Sequence, residues 1–344
     1  MILQDVWHVA LGFSTGMPIE VEPVQEHLST DTGLLLFRQF DDELKLTQEF
    51  AAQLVDTRTD PTHSVLEMVR SRVFGIIAGY EDQNDHDSLL SDAVFKMIAD
   101  RFPDDTDLAS QPTLSRFENA VTPADLLRLE EWFIQRFVDS FDETPIEITL
   151  DIDVFDDPTH GQQQLIFFHG YYKQYQYLVR AITCAEKDLV VLPALLYGTA
   201  DPALGVGLDL ERIVDALREK FPHVVIHVRA DSGYAKPWFY RVCERLGVLY
   251  SIGFGMNKVL KRNSEELLKT AVEEQERTGQ SQRLFTGFDY QAGTWEQPRW
   301  IVIKCEANAQ GTNRRAVVTN RPGARTVPTT STANAAKVRT ATRN

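Results

Sequence analysis

The chain has 344 residues, 43% of them apolar and 25% charged, with a formal net charge of −15. That length admits two domains, or one large core with an appendage. No run of about 18 apolar residues occurs, which excludes a membrane-spanning helix, and the acidic balance excludes a surface that is basic all over.

The N-terminus, Met1 to Ala10, mixes an acid and a histidine with its apolar residues and lacks the basic start of a signal peptide. Apolar residues at three- and four-residue spacing then predict helices over Asp41–Thr57 and Ser64–Tyr80. In the second, Val65, Leu66, Val69, Val73, Ile76 and Ile77 form the expected buried face. Ser64 and Glu67 have the spacing of a capping box. A further amphipathic helix is expected over Ala124–Ser140, behind Thr122-Pro123. The pattern changes near Thr144-Pro145. Ile146–Val154 alternates apolar and polar residues as a strand does, and Gln164–Tyr171, Tyr177–Cys184 and Leu189–Leu196 read as further strands. Helix Leu208–Lys220, strand His223–Val228, helix Lys236–Leu246 and strand Val248–Phe254 follow, an α/β order. Arg283–Val318 is strand-rich again. From Arg321 to Asn344 the only bulky apolar residues are Val327 and Val338, so this stretch is expected to be disordered.

Three cysteines, Cys184, Cys243 and Cys305, stand far apart with no CxxC pair. That argues against a zinc site or a disulfide framework and fits a reducing cytoplasm. Two aspartate groups carry the chemistry instead. Asp151 and Asp153 sit in Leu150-Asp151-Ile152-Asp153, followed by Asp156 and Asp157, and Asp231 directly follows the strand His223–Val228 in Arg229-Ala230-Asp231-Ser232-Gly233-Tyr234. Carboxylates at neighbouring strand ends can hold two divalent cations about 3.5–4 Å apart, the arrangement that in-line phosphoryl displacement uses. Hard Mg²⁺ prefers such oxygen ligands. The plain alternative is a set of solvated strand-end acids, and Asp156-Asp157-Pro158 alone reads most simply as a turn. Asp151 and Asp153, two apart on a strand, share a face.

The chain resembles the DDE transposases of the IS-thirteen-eighty group, within the IS-four-like set. The resemblance is carried, in order, by Gly79-Tyr80-Glu81-Asp82-Gln83-Asn84-Asp85-His86-Asp87, by Ser110-Gln111-Pro112-Thr113-Leu114-Ser115-Arg116-Phe117-Glu118-Asn119, and by Leu150-Asp151-Ile152-Asp153. It continues in His160-Gly161-Gln162-Gln163, Arg229 to Tyr234, and Val317-Val318-Thr319-Asn320. It implies a mainly helical N-terminal region over 1–143 and an RNase H-like catalytic core over 144–320. A β insertion over about 255–318 would interrupt that core. It further implies strand cleavage and strand transfer on double-stranded DNA (terminal inverted repeats and target DNA), with two Mg²⁺ or Mn²⁺ ions. A homo-oligomer assembled on DNA in the bacterial cytoplasm is expected. By carry-over Asp231 is the second catalytic aspartate and Asp153 the favoured first. Phe155 stands where the family's pattern has Thr, so Asp151 stays open.

The resemblance stops at the third acid. The family's final helix carries Tyr, two residues, Arg, three residues and the catalytic Glu, and no such pattern follows Asn320. No Asp or Glu follows Glu306, which lies in a strand-like run and reads as a solvated strand-end carboxylate. The final helix is therefore expected to be missing and the chain to be catalytically incomplete. A shift of one base from Pro328 onward, with compatible codons, can be reread to contain Tyr, Arg and Glu at the family's spacing, so the tail reads as truncated or frameshifted. For DNA contact the candidates are Trp295, as a platform for a flipped base, against the commoner buried strand tryptophan, Arg116 on phosphate, and the cluster Lys258, Lys261 and Arg262. Two other functions fit the residues. One is a non-catalytic DNA-binding remnant that interferes with intact transposase. The other is a metal-dependent glycosyltransferase using Asp151-Ile152-Asp153.

Overall fold

A computed structural model describes residues 9–11, 19–21, 29–161 and 163–326. The chain divides into two compact units after Trp132. Among the described residues no helix is long and apolar enough to cross a membrane. The expectations for the extreme N-terminus and for the tail beyond residue 326 lie outside the described residues.

The first unit opens with a short antiparallel pair, β1 (Val9–Leu11) and β2 (Ile19–Val21), which the sequence reading did not anticipate. Helices follow: α1 (Leu34–Leu44), α2 (Leu46–Ala52), α3 (Val65–Ala78), α4 (His86–Leu89), α5 (Ala93–Ile98), α6 (Gln111–Asn119) and the first part of α7 (Pro123–Asp139). The single helix expected over Asp41–Thr57 is thus two helices that start earlier. Lys45 between them takes a left-handed φ of 55°, and Asp41 Oδ1 accepts from the Thr47 amide (2.8 Å) to cap the second.

Ser64 does cap α3, accepting from the Glu67 amide at 3.1 Å. The reciprocal half of the capping box does not form, because the Glu67 carboxylate turns to Arg101 (2.9 Å) and His63 (2.7 Å). The buried face of α3 also differs from the expected one. Met68, Val69 and Phe74 are buried, whereas Ile76 and Ile77 are exposed. Glu67 and Arg70 take places on the buried side because each has charged partners there, Arg70 reaching Asp100. A pattern read from hydrophobicity alone misses charges that are satisfied inside. α7 opens with a true reciprocal cap. The Thr122 amide donates to Asp125 (2.8 Å), and the Asp125 amide to the Thr122 hydroxyl (3.2 Å).

The second unit is a nine-stranded mixed sheet with helices. Its strands are β3 (Glu147–Pro158), β4 (Phe167–His169), β5 (Gln174–Cys184), β6 (Leu189–Tyr197), β7 (Val225–Ala230) and β8 (Leu249–Phe254), then β9 (Gln282–Tyr290), β10 (Arg299–Asn308) and β11 (Gly311–Thr319). Between them lie α8 (Val206–Lys220), α9 (Pro237–Arg245), α10 (Lys258–Asn263) and α11 (Glu265–Thr278). β6, β5 and β3 are joined antiparallel; β7 is parallel to β3, and β8 parallel to β7. The order β6-β5-β3-β7-β8 with those directions is that of an RNase H-like core. β11 adds antiparallel to β8 and is followed by β10 and β9, so the late strands extend the core sheet. β3 runs through Asp156, Asp157 and Pro158, which pair with Leu178, Tyr177 and Gln176. That segment is strand rather than turn, because β5 offers it a continuous partner.

Alternation along β3 and β7 separates two faces. Leu150, Ile152, Ile226, Val228 and Ala230 are buried in one core cluster with side chains of α8, α9 and the end of α7. Each such burial is worth roughly 1.5–3 kcal/mol for the larger aliphatics. A slip of one residue would expose all of them at once, so the register is strongly fixed.

Candidate active site

The register that buries Leu150 and Ile152 sends Asp151 and Asp153 to the opposite face. On β7 the same alternation sends Arg229 and Asp231 there too. The parallel pairing sets Asp151 opposite Arg229 and Ile152 opposite Ala230. One step further along come Asp153, midway along β3, and Asp231, just past the carboxyl end of β7. Two of the sequence-predicted acids are therefore brought beside one another where β7 ends against β3.

Asp231 heads a single 3₁₀ turn, Ser232–Tyr234, with its Oδ1 accepting from the Gly233 amide at 2.8 Å. Glycine leaves room for this turn on the neighbouring β8. A Cβ on Gly253 would lie 3.0 Å from the Ser232 nitrogen and 3.2 Å from the Asp231 carbonyl carbon, both backbone atoms that cannot swing away. The Asp153 carboxylate is exposed and accepts from the Val154 amide at 2.8 Å. Partial burial of its carboxyl raises the pKa of Asp231 above the usual carboxylate value, and the neighbouring charge of Asp153 adds to the rise. Two carboxylates that repel across one gap are a donor set that a divalent cation would relieve.

Asp151 has a different role in the geometry. Both of its oxygens are taken by the Arg229 guanidinium, in a fork that also raises the Arg229 pKa. Arg229 was not singled out from sequence, although its place two residues before Asp231 on the same face was readable from strand alternation. Tyr234, buried beside the pair, has a raised pKa from burial. Lys236, just beyond the turn, pairs with Asp201 at 2.9 Å.

The remaining candidates stand elsewhere. Trp295 is 5% exposed, enclosed by Tyr240, Phe254 and Tyr290 at 5.3–5.7 Å between ring centres, with Arg299 over its face. This is the buried-tryptophan placement and leaves no open ring face for a base. Arg116 is exposed on α6 in the first unit, 3.2 Å from the Thr113 hydroxyl. Lys258, Lys261 and Arg262 are exposed together on α10, which Asn257 caps. Glu306 is not a solvated strand end as expected. It is 9% exposed and held by Lys304 (2.9 Å) and Arg283 (2.7 Å), hydrogen bonds that lower its pKa. Three strand steps (β8, β11 and β10) separate it from β7. Among the described residues no group of three His, Cys, Asp or Glu is placed to hold a metal ion.

A family model described as "Transposase DDE domain group 1" matches residues 13–334. No curated protein matches the chain. Among solved structures, a piggyBac transposase synaptic complex with hairpin DNA, determined by cryo-electron microscopy, is similar over 83% of this chain and 61% of that one, at 12% identity and a TM-score of 0.40. The chain thus spans less than two thirds of that transposase.

Proposed function

The chain belongs to the transposase DDE domain group 1 family, and from that premise we propose that its sheet is built for metal-dependent phosphoryl transfer on DNA, with Asp153 and Asp231 as the two acids that serve it. The observation that carries this is their meeting where β7 ends beside the middle of its parallel neighbour β3, with the pKa of Asp231 raised beside Asp153. DDE transposases work with divalent cations. Asp153 and Asp231 fit as two oxygen ligands of Mg²⁺ or Mn²⁺, which when bound would activate the attacking oxygen and stabilise the leaving one. Arg229 occupies Asp151, which in this reading supports the site by fixing the stretch of β3 on which Asp153 stands. The partners in this reading are the inverted-repeat ends of a mobile element and its target DNA, handled by an oligomer of this chain. In this reading Arg116 and the exposed cluster Lys258, Lys261 and Arg262 take phosphates.

In the same reading the third acid is not Glu306, which is engaged by Arg283 and Lys304. The ordered motifs favour the IS-thirteen-eighty group, and the tail beyond Pro328 then reads as that group's final helix in a shifted frame. The nucleotide sequence tests this last point, and a gene without that helix in the neighbouring frame ends the idea.

Mn²⁺ titration of the purified chain tests the site. Asp153→Asn and Asp231→Asn should each weaken binding roughly tenfold or more, and Asp151→Asn much less. Equal losses at Asp151 and none at Asp153 would reverse the assignment. Where no other acid completes the site, DNA carrying the element's ends stays uncleaved in Mg²⁺ or Mn²⁺, and cleavage dependent on Asp231 would show that one does.

A further inference from the structure

β5 alternates between the two faces of the sheet, and Arg180 falls on its buried side, between Leu178 and Ile182. The register sets it beside Val154 of β3 and Ala194 of β6, and it is 2% exposed. A guanidinium is tolerated in such a place only when it is paired and hydrogen-bonded. Arg180 meets that demand on one segment of chain. It donates to the carbonyls of Pro202 (3.3 Å) and Leu204, in the loop that joins β6 to α8, and it pairs with Asp209 in the first turn of α8. A lysine ammonium offers a point charge, whereas the planar fork of arginine can serve two carbonyls and a carboxylate together.

That loop lies against the turn that carries Asp231. The Pro202 ring is 3.7 Å from where a Cβ on Gly233 would stand, and Asp201 pairs with Lys236 at 2.9 Å. At the start of α8, a Cβ on Gly207 would meet Trp238 and Val242 of α9 at 3.4 Å. The turn also abuts Gly253 of β8. It is thus held by a strand, whose place the ladder fixes, and by a loop, whose place Arg180 fixes. Gly233, against which Pro202 packs, is also the amide donor to Asp231 Oδ1. A loop that shifts lets that amide shift, and the carboxylate turns with it. We propose that Arg180 is a positioning residue for Asp231: from the buried face of the sheet it holds loop 201–204 on the turn, and so sets the direction of a carboxylate on the open face. The effect passes through Pro202 and Gly233, not through contact with the acid pair.

The inference rests on the reading of Asp153 and Asp231 as a divalent-cation site, and two measurements on the full chain keep the two apart. One is Mn²⁺ titration. The other is hydrogen exchange, without metal, at the amides of Gly233, Tyr234 and Ala235, which bond within the turn. Arg180→Lys should weaken Mn²⁺ binding roughly tenfold and speed exchange in the turn, because the loop loosens. Pro202→Ala, which leaves Arg180 in place and removes the contact with Gly233, should move both in the same direction. Arg299→Lys is the control, a guanidinium buried alike (5% exposed) but held by Glu244. It should lower the denaturation midpoint as Arg180→Lys does, and leave Mn²⁺ affinity and turn exchange as in the parent. Mn²⁺ affinity unmoved in Arg180→Lys, with or without faster exchange, overturns the positioning role. Equal loss of Mn²⁺ affinity in Arg299→Lys also overturns it, because general destabilisation then suffices. A parent chain that takes up no Mn²⁺ overturns the acid-pair reading instead, and the exchange comparison alone then decides whether Arg180 holds the turn.

Discussion

Asp231, proposed above as one of the two site acids, shows how a carboxylate can work against the fold that holds it. Its pKa is raised above the ordinary 3.8 chiefly by burial, with the Asp153 charge second. A carboxyl whose pKa is higher in the folded state stabilises most below its unfolded value. That contribution is lost as pH rises through the raised folded value. At neutral pH the charged form is therefore a cost. Asp231→Asn should melt at a higher temperature than the parent at pH 7, and the gap should close as pH falls toward 4. A variant that melts lower at pH 7 would show that the carboxylate is held by attraction instead. Asp151 is the opposite case. Asp151→Asn strips the guanidinium of a half-buried partner and should cost about 1–3 kcal/mol in chemical denaturation. The double variant with Arg229→Gln should recover part of that loss.

At the scale of elements, the site depends on how closely β8 approaches the turn after β7. Gly253→Ala places a methyl 3.0–3.2 Å from backbone atoms of Ser232 and Asp231. Neither strand can move without disturbing its ladder, so the substitution should cost about 1–3 kcal/mol and weaken Mn²⁺ binding together with stability. Unchanged Mn²⁺ affinity would mean that the turn position does not matter to the site. The other end of β7 carries a pH-sensitive joint. His227 bonds Ser251 (3.0 Å) and Arg321 (2.8 Å), and Arg321 bonds Glu147. Burial first, then the charges of Arg321 and Arg229, lower the His227 pKa to about 3. A histidine depressed this way stabilises above its unfolded value of 6.5, and the contribution is lost as pH falls from there toward 3. His227→Asn should flatten that part of the stability profile. An unaltered slope in urea melts between pH 6.5 and 4 would assign the acid sensitivity elsewhere, His86 being the next candidate with a pKa near 4.

For the whole molecule, a net charge of −15 sets the terms of the proposed DNA binding. In that reading attraction has to come from small basic groups such as Lys258, Lys261 and Arg262, together with any cations taken up at the acid pair. A protein that makes six to ten phosphate contacts loses roughly 10³–10⁵ in affinity between 50 and 200 mM salt. This chain should lose well under a hundredfold over that range and depend more on divalent cation. A steep salt slope in anisotropy titrations would mean a larger basic surface than the sequence suggests.

By itself, the sequence determined the order of strands and helices in the core and the two aspartate groups, because alternation and turn chemistry are local. It also carried the family, through motifs spread in order from Gly79 to Asn320. Local signals did not reveal which charges would be buried. Glu67, Arg70 and Glu306 look like surface residues until Arg101, Asp100 and Lys304 arrive beside them. Nor could spacing choose between Asp151 and Asp153, which share a face and a chemistry. Only the pairing of β3 with β7 decided that one carboxylate meets Arg229 and the other meets Asp231, because register is a property of two strands and neither contains it alone.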